Sequence, residues 1–238
     1  DETSMAILKN GKDIVGLTIL TQMNTHANYG GVVPEIASRM HTENITIVLE
    51  ETLKKAQMSI EDIDAIAVTY APGLLGSLLV GVECAKTLAF IYNKPLIAVN
   101  HTMGHIFANN IEYNIVYPTL ALIVSGGHTD LLILENETTI KRLGSTIDDS
   151  VGEVFDKVAR VLGMPYPGGP NIEKSAAKGQ NTYDLPHPMQ EEGYNFSYSG
   201  LKSYIINLDH NEKQRNHEIR TNDLACSFQT VAVEELTR

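Results

Sequence analysis

The order of predicted elements repeats along this chain, and the repeat constrains the fold more than any other feature. Residues 5–10 and 13–20 predict two strands joined by a tight turn, and Pro34 begins a long helical segment. Residues 119–135 predict two strands around a Gly-Gly turn, and residues 138–146 predict a third. Residues 149–163 predict an amphipathic helix that ends at Gly163. The sequence therefore predicts two α/β lobes of similar order, residues 1–115 and 116–238.

The first lobe continues with a pattern typical of parallel sheets. Residues 64–70 and 94–100 are short apolar runs that predict buried strands, and residues 82–93 predict the helix between them. Residues 71–81 contain three glycines and predict a loop that leads into this helix. Because strands that alternate with helices favour parallel pairing, the fold class is α/β.

The repeat also predicts elements that this sequence does not contain. Residues 1–4, Asp-Glu-Thr-Ser, stand where the second lobe has its turn at residues 126–129, so the first lobe has no counterpart of the strand before that turn. The second lobe shows no buried strand, helix and buried strand to match residues 64–100. We therefore expect the chain to be a piece of a longer protein.

Charge and composition narrow the possible functions. The formal net charge is −11, so a nucleic acid would not bind to the overall field of the chain and would require a local basic patch or a basic partner. No apolar run approaches the roughly 18 to 20 residues of a membrane span, and no signal peptide begins the sequence. Cys84 and Cys226 are predicted to be buried free thiols, as is usual in a reducing cytosol.

Two histidines one helical turn apart form the first candidate site. His101 and His105 directly follow the predicted strand 94–100, and their spacing places both imidazoles on one helix face. Open α/β sheets bind ligands at the carboxyl ends of their strands, which favours a metal site over a pair of surface histidines. A zinc peptidase of the H-E-x-x-H type requires a glutamate where this chain has Thr102, so a peptidase is disfavoured. No third ligand is evident nearby.

Glycine-rich turns form two further candidate sites. Residues 125–130, Ser-Gly-Gly-His-Thr-Asp, predict a strand-to-strand turn whose backbone amides could bind an anion, although an ordinary hairpin also requires glycine. Residues 166–170 predict a rigid loop before a helix that starts at Asn171, and the amino end of a helix suits a phosphate or a ribose.

Three polar residues of the second lobe keep more than one interpretation. Asp156 lies at the edge of the apolar stripe of its helix, where it is either a ribose contact or a solvated carboxylate. Residues 196–202 predict a strand end followed by a helix that Ser199 caps. Lys202 in this segment is either a surface residue or an anion contact.

Several motifs occur together and in one order. They are THANYGGVVPEIASR, APGLLGSLLVG, NHTMGH, LIVSGGHTDL, GEVFDKVARVLG followed after one residue by PYPGGP, and FSYSGLK. This set resembles the TsaD/Gcp family, the universal tRNA threonylcarbamoyladenosine synthases that were once described as O-sialoglycoprotein endopeptidases. The resemblance covers essentially the whole chain and is strongest to the bacterial members.

The resemblance implies a fold, an activity and partners. The fold would be the actin-like, sugar-kinase-like ATPase (ASKHA) fold of two duplicated RNase H-like lobes, with the second lobe incomplete in this chain. The activity would be transfer of the threonylcarbamoyl group from threonylcarbamoyl-AMP to N6 of the adenosine adjacent to the anticodon, in tRNAs that read ANN codons. The implied partners are tRNA, a small P-loop ATPase of the TsaE type and a paralogous scaffold of the TsaB type. The implied location is the cytoplasm, without a membrane.

The resemblance also implies roles for individual residues. His101 and His105 match the family's metal-binding pair for one divalent ion, Fe or Zn, and the third ligand, an aspartate, is expected beyond Arg238. The metal would polarise the carbamoyl carbonyl while backbone amides of residues 125–127 hold the phosphate side, and no residue is assigned as a general base. The residues matching the family's adenylate-binding surface are Val124, Ser125, Gly126, Gly127, His128, Asp156, Gly169 and Glu173.

Two other functions remain as alternatives. A non-catalytic scaffold paralogue of the same complex lacks the histidine pair, so the motif NHTMGH argues against that function here. A metallo-glycopeptidase is disfavoured by Thr102.

Overall fold

The described residues form both strands and helices in each half of the chain, and β-α-β alternation with parallel pairing occurs at residues 66–100, so the predicted mixed α/β class is confirmed. The computed structural model describes residues 2–187 and 193–238, and the packing of the backbone divides the chain into two units, Asp1–Ile115 and Val116–Arg238. Within the two described ranges, every helix is too short or too polar to cross a membrane.

The first unit contains an antiparallel hairpin, a parallel strand pair and the helices that pack on them. Its elements are β1 (Glu2–Lys9), β2 (Asp13–Thr21), α1 (Met23–Ala27), α2 (Pro34–Ala56), β3 (Ile66–Ala71), α3 (Leu75–Ile91), β4 (Leu96–Asn100) and α4 (His101–Phe107). β1 pairs with β2, and β3 pairs in parallel with β4. Asn10 and Gly11 turn the hairpin with positive φ, and Pro34 occupies the first turn of α2; both features confirm the predictions for these segments.

Residues 2–4 do not form the predicted turn. They begin β1, where Thr3 pairs with Leu20 of β2. The side chain of Thr3 is buried and bonds to His41 of α2, so contacts with two other elements hold this segment extended. Asp1, the first residue of the predicted turn, lies outside the described residues.

α3 begins earlier than the sequence pattern predicts. The helix starts at Leu75, so most of the glycine-rich segment 71–81 is helical and not a loop. A Cβ atom at Gly76 would lie 2.5 Å from Oγ of Ser38 in α2, and one at Gly81 would lie 3.7 Å from Val68 of β3. At Gly76, glycine is required for the close packing of two helices and not for a loop conformation.

The second unit is a three-stranded antiparallel sheet followed by four helices among its described residues. The elements are β5 (Thr119–Val124), β6 (Thr129–Leu134), β7 (Ile140–Ser145), α5 (Val151–Val161), α6 (Gly168–Ala176), α7 (Ser199–Gln214) and α8 (Thr221–Thr237). The strand order is β5-β6-β7. α5 buries its predicted apolar face and ends before Gly163, whose φ of 74° is that of a helix stop. The core of this unit is built mainly from the four helices, with Val154, Val158, Leu201, Leu224 and Phe228 among its most buried side chains.

Two helix starts in the second unit differ from their predictions. α6 begins at Gly168 and not at Asn171, so the glycines of the predicted loop are the first residues of the helix. α7 begins at Ser199, but its amino end is capped by Asp148 from outside the helix. Asp148 Oδ1 accepts hydrogen bonds from the backbone N–H groups of Tyr198 at 2.8 Å and Ser199 at 3.3 Å. The cap therefore comes from a residue about fifty positions away, which a local pattern cannot reveal.

Candidate functional site

The two histidines lie on a short helix that starts where β4 ends. Asn100, the last residue of β4, caps α4: its Oδ1 accepts from the N–H groups of Thr102 at 3.0 Å and Met103 at 3.2 Å. The Thr102 hydroxyl also donates to this oxygen, at 2.7 Å. The residue that replaces the peptidase glutamate is thus part of the helix cap.

The imidazoles of His101 and His105 face each other at the distance that a shared metal ion requires. Their Nε2 atoms are 3.1 Å apart, and the rings meet edge to face with centroids 4.5 Å apart. Because metal–imidazole bonds are about 2.0–2.1 Å long, two nitrogens on one ion lie roughly 3 Å apart. The described part of the chain contains no group of three or more His, Cys, Asp or Glu residues arranged for a metal. The pair therefore fits two ligands of one ion.

The turn between β5 and β6 is closed by its own serine. The N–H of Ser125 donates to the carbonyl of His128 at 2.9 Å, and Ser125 Oγ accepts from the N–H groups of Gly127 at 3.3 Å and His128 at 3.0 Å. Some of the backbone N–H groups that the sequence predicted to bind an anion therefore already form hydrogen bonds within the turn. The bond to Gly127 is at the long end of the hydrogen-bond range, so an anionic acceptor can compete for that N–H.

The glycines of this turn are not explained by the fold. Neither Gly126 nor Gly127 has a positive φ, and a Cβ atom on either would meet nothing within 4 Å. An ordinary hairpin requirement for glycine, the alternative interpretation of this motif, does not account for them. Their faces are open, and the neighbouring Val124 side chain is 46% exposed. The turn therefore has space for a ligand next to its backbone.

Asp156 is half-buried, and a hydrogen bond fixes the orientation of its carboxylate. Its Oδ1 accepts a 2.6 Å hydrogen bond from the N–H of Gly168, the first residue of α6. Burial raises the pKa of the Asp156 carboxyl, and the hydrogen bond from Gly168 opposes that rise. The carboxylate caps the amino end of α6, which the sequence assigns to a phosphate or ribose.

α5 brings the predicted adenylate residues of this unit side by side. Gly152 packs so closely on the turn that an added Cβ would lie 2.7 Å from the carbonyl carbon of Ser125 and 2.8 Å from the N of Gly126. Asp156 is four residues further along, so it lies on the same helix face about 6 Å away along the axis. The turn at 125–127 and the start of α6 at Gly168 are therefore neighbours along one face of α5. Beyond Gly168, Gly169 has no atom within 4 Å of its missing Cβ, and Glu173 of α6 is exposed.

Alanine at Asp156 should destabilise the second unit, because the buried N–H of Gly168 loses its acceptor. The expected loss is about 1–3 kcal/mol of unfolding free energy, the usual cost of an unsatisfied buried group. Asp156→Asn is the matched control, since its amide oxygen can still accept from Gly168. Denaturant unfolding and nucleotide affinity should be measured for both variants. If Asp156 also contacts a ribose, the Asn variant retains stability but loses affinity; an Ala variant as stable as the parent contradicts the cap.

The segment FSYSGLK is tied to residues 148–149. Besides its backbone contacts, Asp148 accepts from the hydroxyls of Ser197 at 2.5 Å and Ser199 at 2.7 Å. Burial by itself would raise the pKa of Asp148, but these four hydrogen bonds together lower it. Lys202 is largely buried and forms an ion pair with Asp149. It is therefore neither a free surface residue nor an open contact for an anion, the two roles that the sequence suggested.

A buried polar network in the first unit was not foreseen from the sequence. Gln22 Oε1 bonds His26 Nε2 at 3.1 Å, and Gln22 Nε2 bonds His41 Nδ1 at 3.2 Å. Thr3 Oγ1 lies 2.8 Å from the same Nδ1, and the N–H of Val33 donates to His26 Nδ1 at 3.3 Å. Both histidines accept at Nδ1, so both are neutral in this arrangement. The network joins β1, α1 and the start of α2.

This network predicts that the first unit loses stability in mild acid. Burial lowers the pKa of His26 and of His41 below the ordinary value of about 6.5. The unfolded chain therefore binds these protons first, so the stabilisation is complete above about pH 6.5 and is lost as the pH falls through the lowered values. The slope of unfolding free energy against pH should not exceed about 1.4 kcal/mol per pH unit for each histidine. His41→Asn, whose oxygen can replace Nδ1 as acceptor, should flatten the slope in denaturant titrations; an unchanged slope contradicts the assignment.

Comparison with known proteins assigns the chain to a family. A family model described as TsaD, tRNA N6-adenosine threonylcarbamoyltransferase, matches residues 13–238. A tRNA N6-adenosine threonylcarbamoyltransferase of Staphylococcus epidermidis is 51% identical over 238 residues, which are 100% of this chain and 70% of that protein. The Bacillus subtilis protein of the same name is 53% identical over 237 residues, 99% of this chain and 68% of its own length.

A relative from Staphylococcus aureus has the same name and is 52% identical over 238 residues, 100% of this chain and 70% of its own length. All three relatives are identical to this chain at more than half of the aligned residues and match nearly its whole length. The chain belongs to the TsaD family of tRNA N6-adenosine threonylcarbamoyltransferases.

Proposed function

We propose that the chain belongs to a protein that transfers a threonylcarbamoyl group from threonylcarbamoyl-AMP to N6 of the adenosine adjacent to the anticodon in tRNAs reading ANN codons. The names of its relatives support an acyl transfer to tRNA adenosine. In the reaction, N6 attacks the carbamoyl carbon and a C–N bond forms. The bond from that carbon to the phosphate oxygen breaks, AMP leaves with the electron pair, and N6 gives up a proton.

The observation that carries this proposal is the imidazole pair at the end of β4. Nε2 of His101 and Nε2 of His105 are 3.1 Å apart on one face of α4, which suits two bonds to one divalent ion, Fe or Zn. When bound, such an ion acts as a Lewis acid on a carbonyl oxygen. Asn100 holds α4 in place, since its side chain caps the helix that carries both ligands. A scaffold paralogue that lacks the histidine pair could not form this site.

The face of α5 supports the binding of the donor's adenylate part. The open turn of residues 125–127 suits the phosphate, because its backbone N–H groups are the donors that an anion requires. Gly169 and Glu173 of α6 lie next to the turn along this face, and Asp156 lies between the turn and the start of α6. Val124, the last residue of β5, and His128, the residue before β6, flank the turn. Catalysis would then consist mainly of positioning and charge stabilisation.

The finer fold and the partners are further parts of the proposal, suggested by the family resemblance. We propose the duplicated ASKHA arrangement, which is supported by the order of a hairpin and a later helix in each unit: β1, β2 and α2, then β6, β7 and α5. The net charge of −11 supports an assembly that supplies basic surface for tRNA, such as a small P-loop ATPase and a paralogous scaffold. We propose that this assembly works in the cytoplasm.

Reconstitution tests the proposed function directly. The full-length protein, with its partner proteins, is given purified threonylcarbamoyl-AMP and a tRNA with adenosine next to the anticodon. Mass analysis of the tRNA should show one added threonylcarbamoyl group. A tRNA with guanosine at that position is the control and should remain unmodified. Absence of modification, together with cleavage of a glycoprotein substrate, would favour the glycopeptidase instead.

A further inference from the structure

Ser150 is a buried residue whose hydroxyl donates a hydrogen bond to the backbone of Gly126. The residue lies directly before α5 and is only 4% exposed. Its Oγ donates to the carbonyl oxygen of Gly126 at 2.6 Å, a short hydrogen bond between groups 24 residues apart. Gly126 belongs to the open turn at 125–127, so this bond reaches from the start of α5 into the backbone of the candidate phosphate site.

The peptide that Ser150 holds lies between two glycines and has few steric restraints on its rotation. It joins Gly126 to Gly127, and neither residue has a side chain to restrict it or an atom within 4 Å of its missing Cβ. Glycine occupies backbone conformations of both signs of φ, so rotation of the peptide plane by half a turn is inexpensive. In a trans peptide the C=O and the following N–H point in opposite directions. Holding the Gly126 carbonyl on Ser150 therefore directs the Gly127 N–H to the opposite side.

The orientation of this peptide decides whether the turn attracts or repels an anion. In the present orientation the Gly127 N–H points toward Ser125 Oγ at 3.3 Å, a long bond that an anionic oxygen can replace. After a flip, the Gly126 carbonyl oxygen would take that place and would repel a phosphate. The packing of Gly152 against Ser125 keeps the start of α5, and with it Ser150, fixed relative to the turn.

We propose that Ser150 is a positioning residue that locks the Gly126–Gly127 peptide in the orientation that binds the donor's phosphate. This inference rests on the proposed function, in which the turn at 125–127 holds the phosphate side of threonylcarbamoyl-AMP. Ser150 acts through the turn and not by direct contact with substrate, since it is only 4% exposed and its O–H donates to Gly126. Its effect is therefore expected in donor binding and not in the chemical step.

The test compares four variants of the full-length protein assembled with its partners. Ser150→Ala removes the lock, and Ser150→Thr keeps the hydroxyl. Thr129→Val removes the hydroxyl that accepts from the Val151 N–H at 2.9 Å, without touching the Gly126 carbonyl. Amide hydrogen exchange at Gly126 and Gly127 reports the peptide lock, and transfer kinetics give KM for the donor and kcat. Ser203→Ala, an exposed serine on α7, serves as the surface control.

Ser150→Ala should accelerate exchange at Gly127 and raise KM for the donor about three- to tenfold, the effect of one net hydrogen bond, with kcat nearly unchanged. Ser150→Thr should restore both values toward the parent. Thr129→Val should lower Tm without this selective rise in KM. Unchanged exchange in Ser150→Ala overturns the lock. Faster exchange with an unchanged KM overturns the role in donor binding and shows that the turn does not hold the phosphate, while transfer itself still proceeds.

Discussion

Alanine at His101 or His105 is expected to remove most of the transfer activity of the full-length protein and to reduce its bound metal below one ion per chain. Each variant leaves one imidazole of a pair whose Nε2 atoms lie 3.1 Å apart, and one ligand fewer holds a divalent ion much more weakly against water. Loss of an outer-shell partner already costs roughly 10- to 100-fold in metal affinity or activity, so loss of a direct ligand should cost at least as much. Elemental analysis and the rate of tRNA modification measure the two effects.

The matched control is His210→Ala, an exposed histidine on α7 whose contact is with Gln214. This variant should retain both metal and activity. Circular dichroism and thermal unfolding should show that the His101 and His105 variants keep the parent's overall fold, because Asn100 and Thr102, which form the cap of α4, are unchanged. Full activity in either histidine variant would mean that the pair is a surface feature, and the proposed metal role would have to be abandoned.

The histidine helix shows what local patterns can predict. The spacing of His101 and His105, the apolar run before them and the capping residue Asn100 lie within a few positions of one another, and the structure confirms helix, strand and shared face together. α5 is the second such case, since its apolar period and Gly163 define the buried face and the end of the helix. Where one short segment contains the whole signal, its structure follows from the sequence.

Contacts between distant residues could not be predicted in this way. The glycine at 76 suggested a loop, but its reason lies in Ser38, which a neighbouring helix brings close to it. Asp148 caps α7 from about fifty residues away, and Gln22 joins histidines that belong to two helices. In each case the local residues permit several structures, and the packing partner selects one.

The second large effect is the change in stability expected when alanine replaces Gly152, which is closely packed, compared with Gly127, which is open. Gly152→Ala should destabilise the second unit by about 1–3 kcal/mol, the usual cost of overpacking. Its new Cβ would lie 2.7 Å from the carbonyl carbon of Ser125 and 2.8 Å from the N of Gly126, and these backbone atoms cannot move without displacing the turn. Thermal unfolding should show a lower Tm, and the displaced turn should also bind the donor less well.

Gly127→Ala should leave the protein as stable as the parent or more stable, while it weakens donor binding. Its Cβ would meet nothing within 4 Å, and the residue has no positive φ, so the fold accepts the side chain and gains about 0.4–1 kcal/mol from the less flexible unfolded chain. A methyl group there would fill the open face next to the N–H groups of the turn, and KM for the donor should rise. The variant is thus at least as stable as the parent but less active, a combination that general damage to the fold cannot produce. A Gly127→Ala protein with the parent KM would show that no ligand uses this face, and the glycine would then remain without a physical reason.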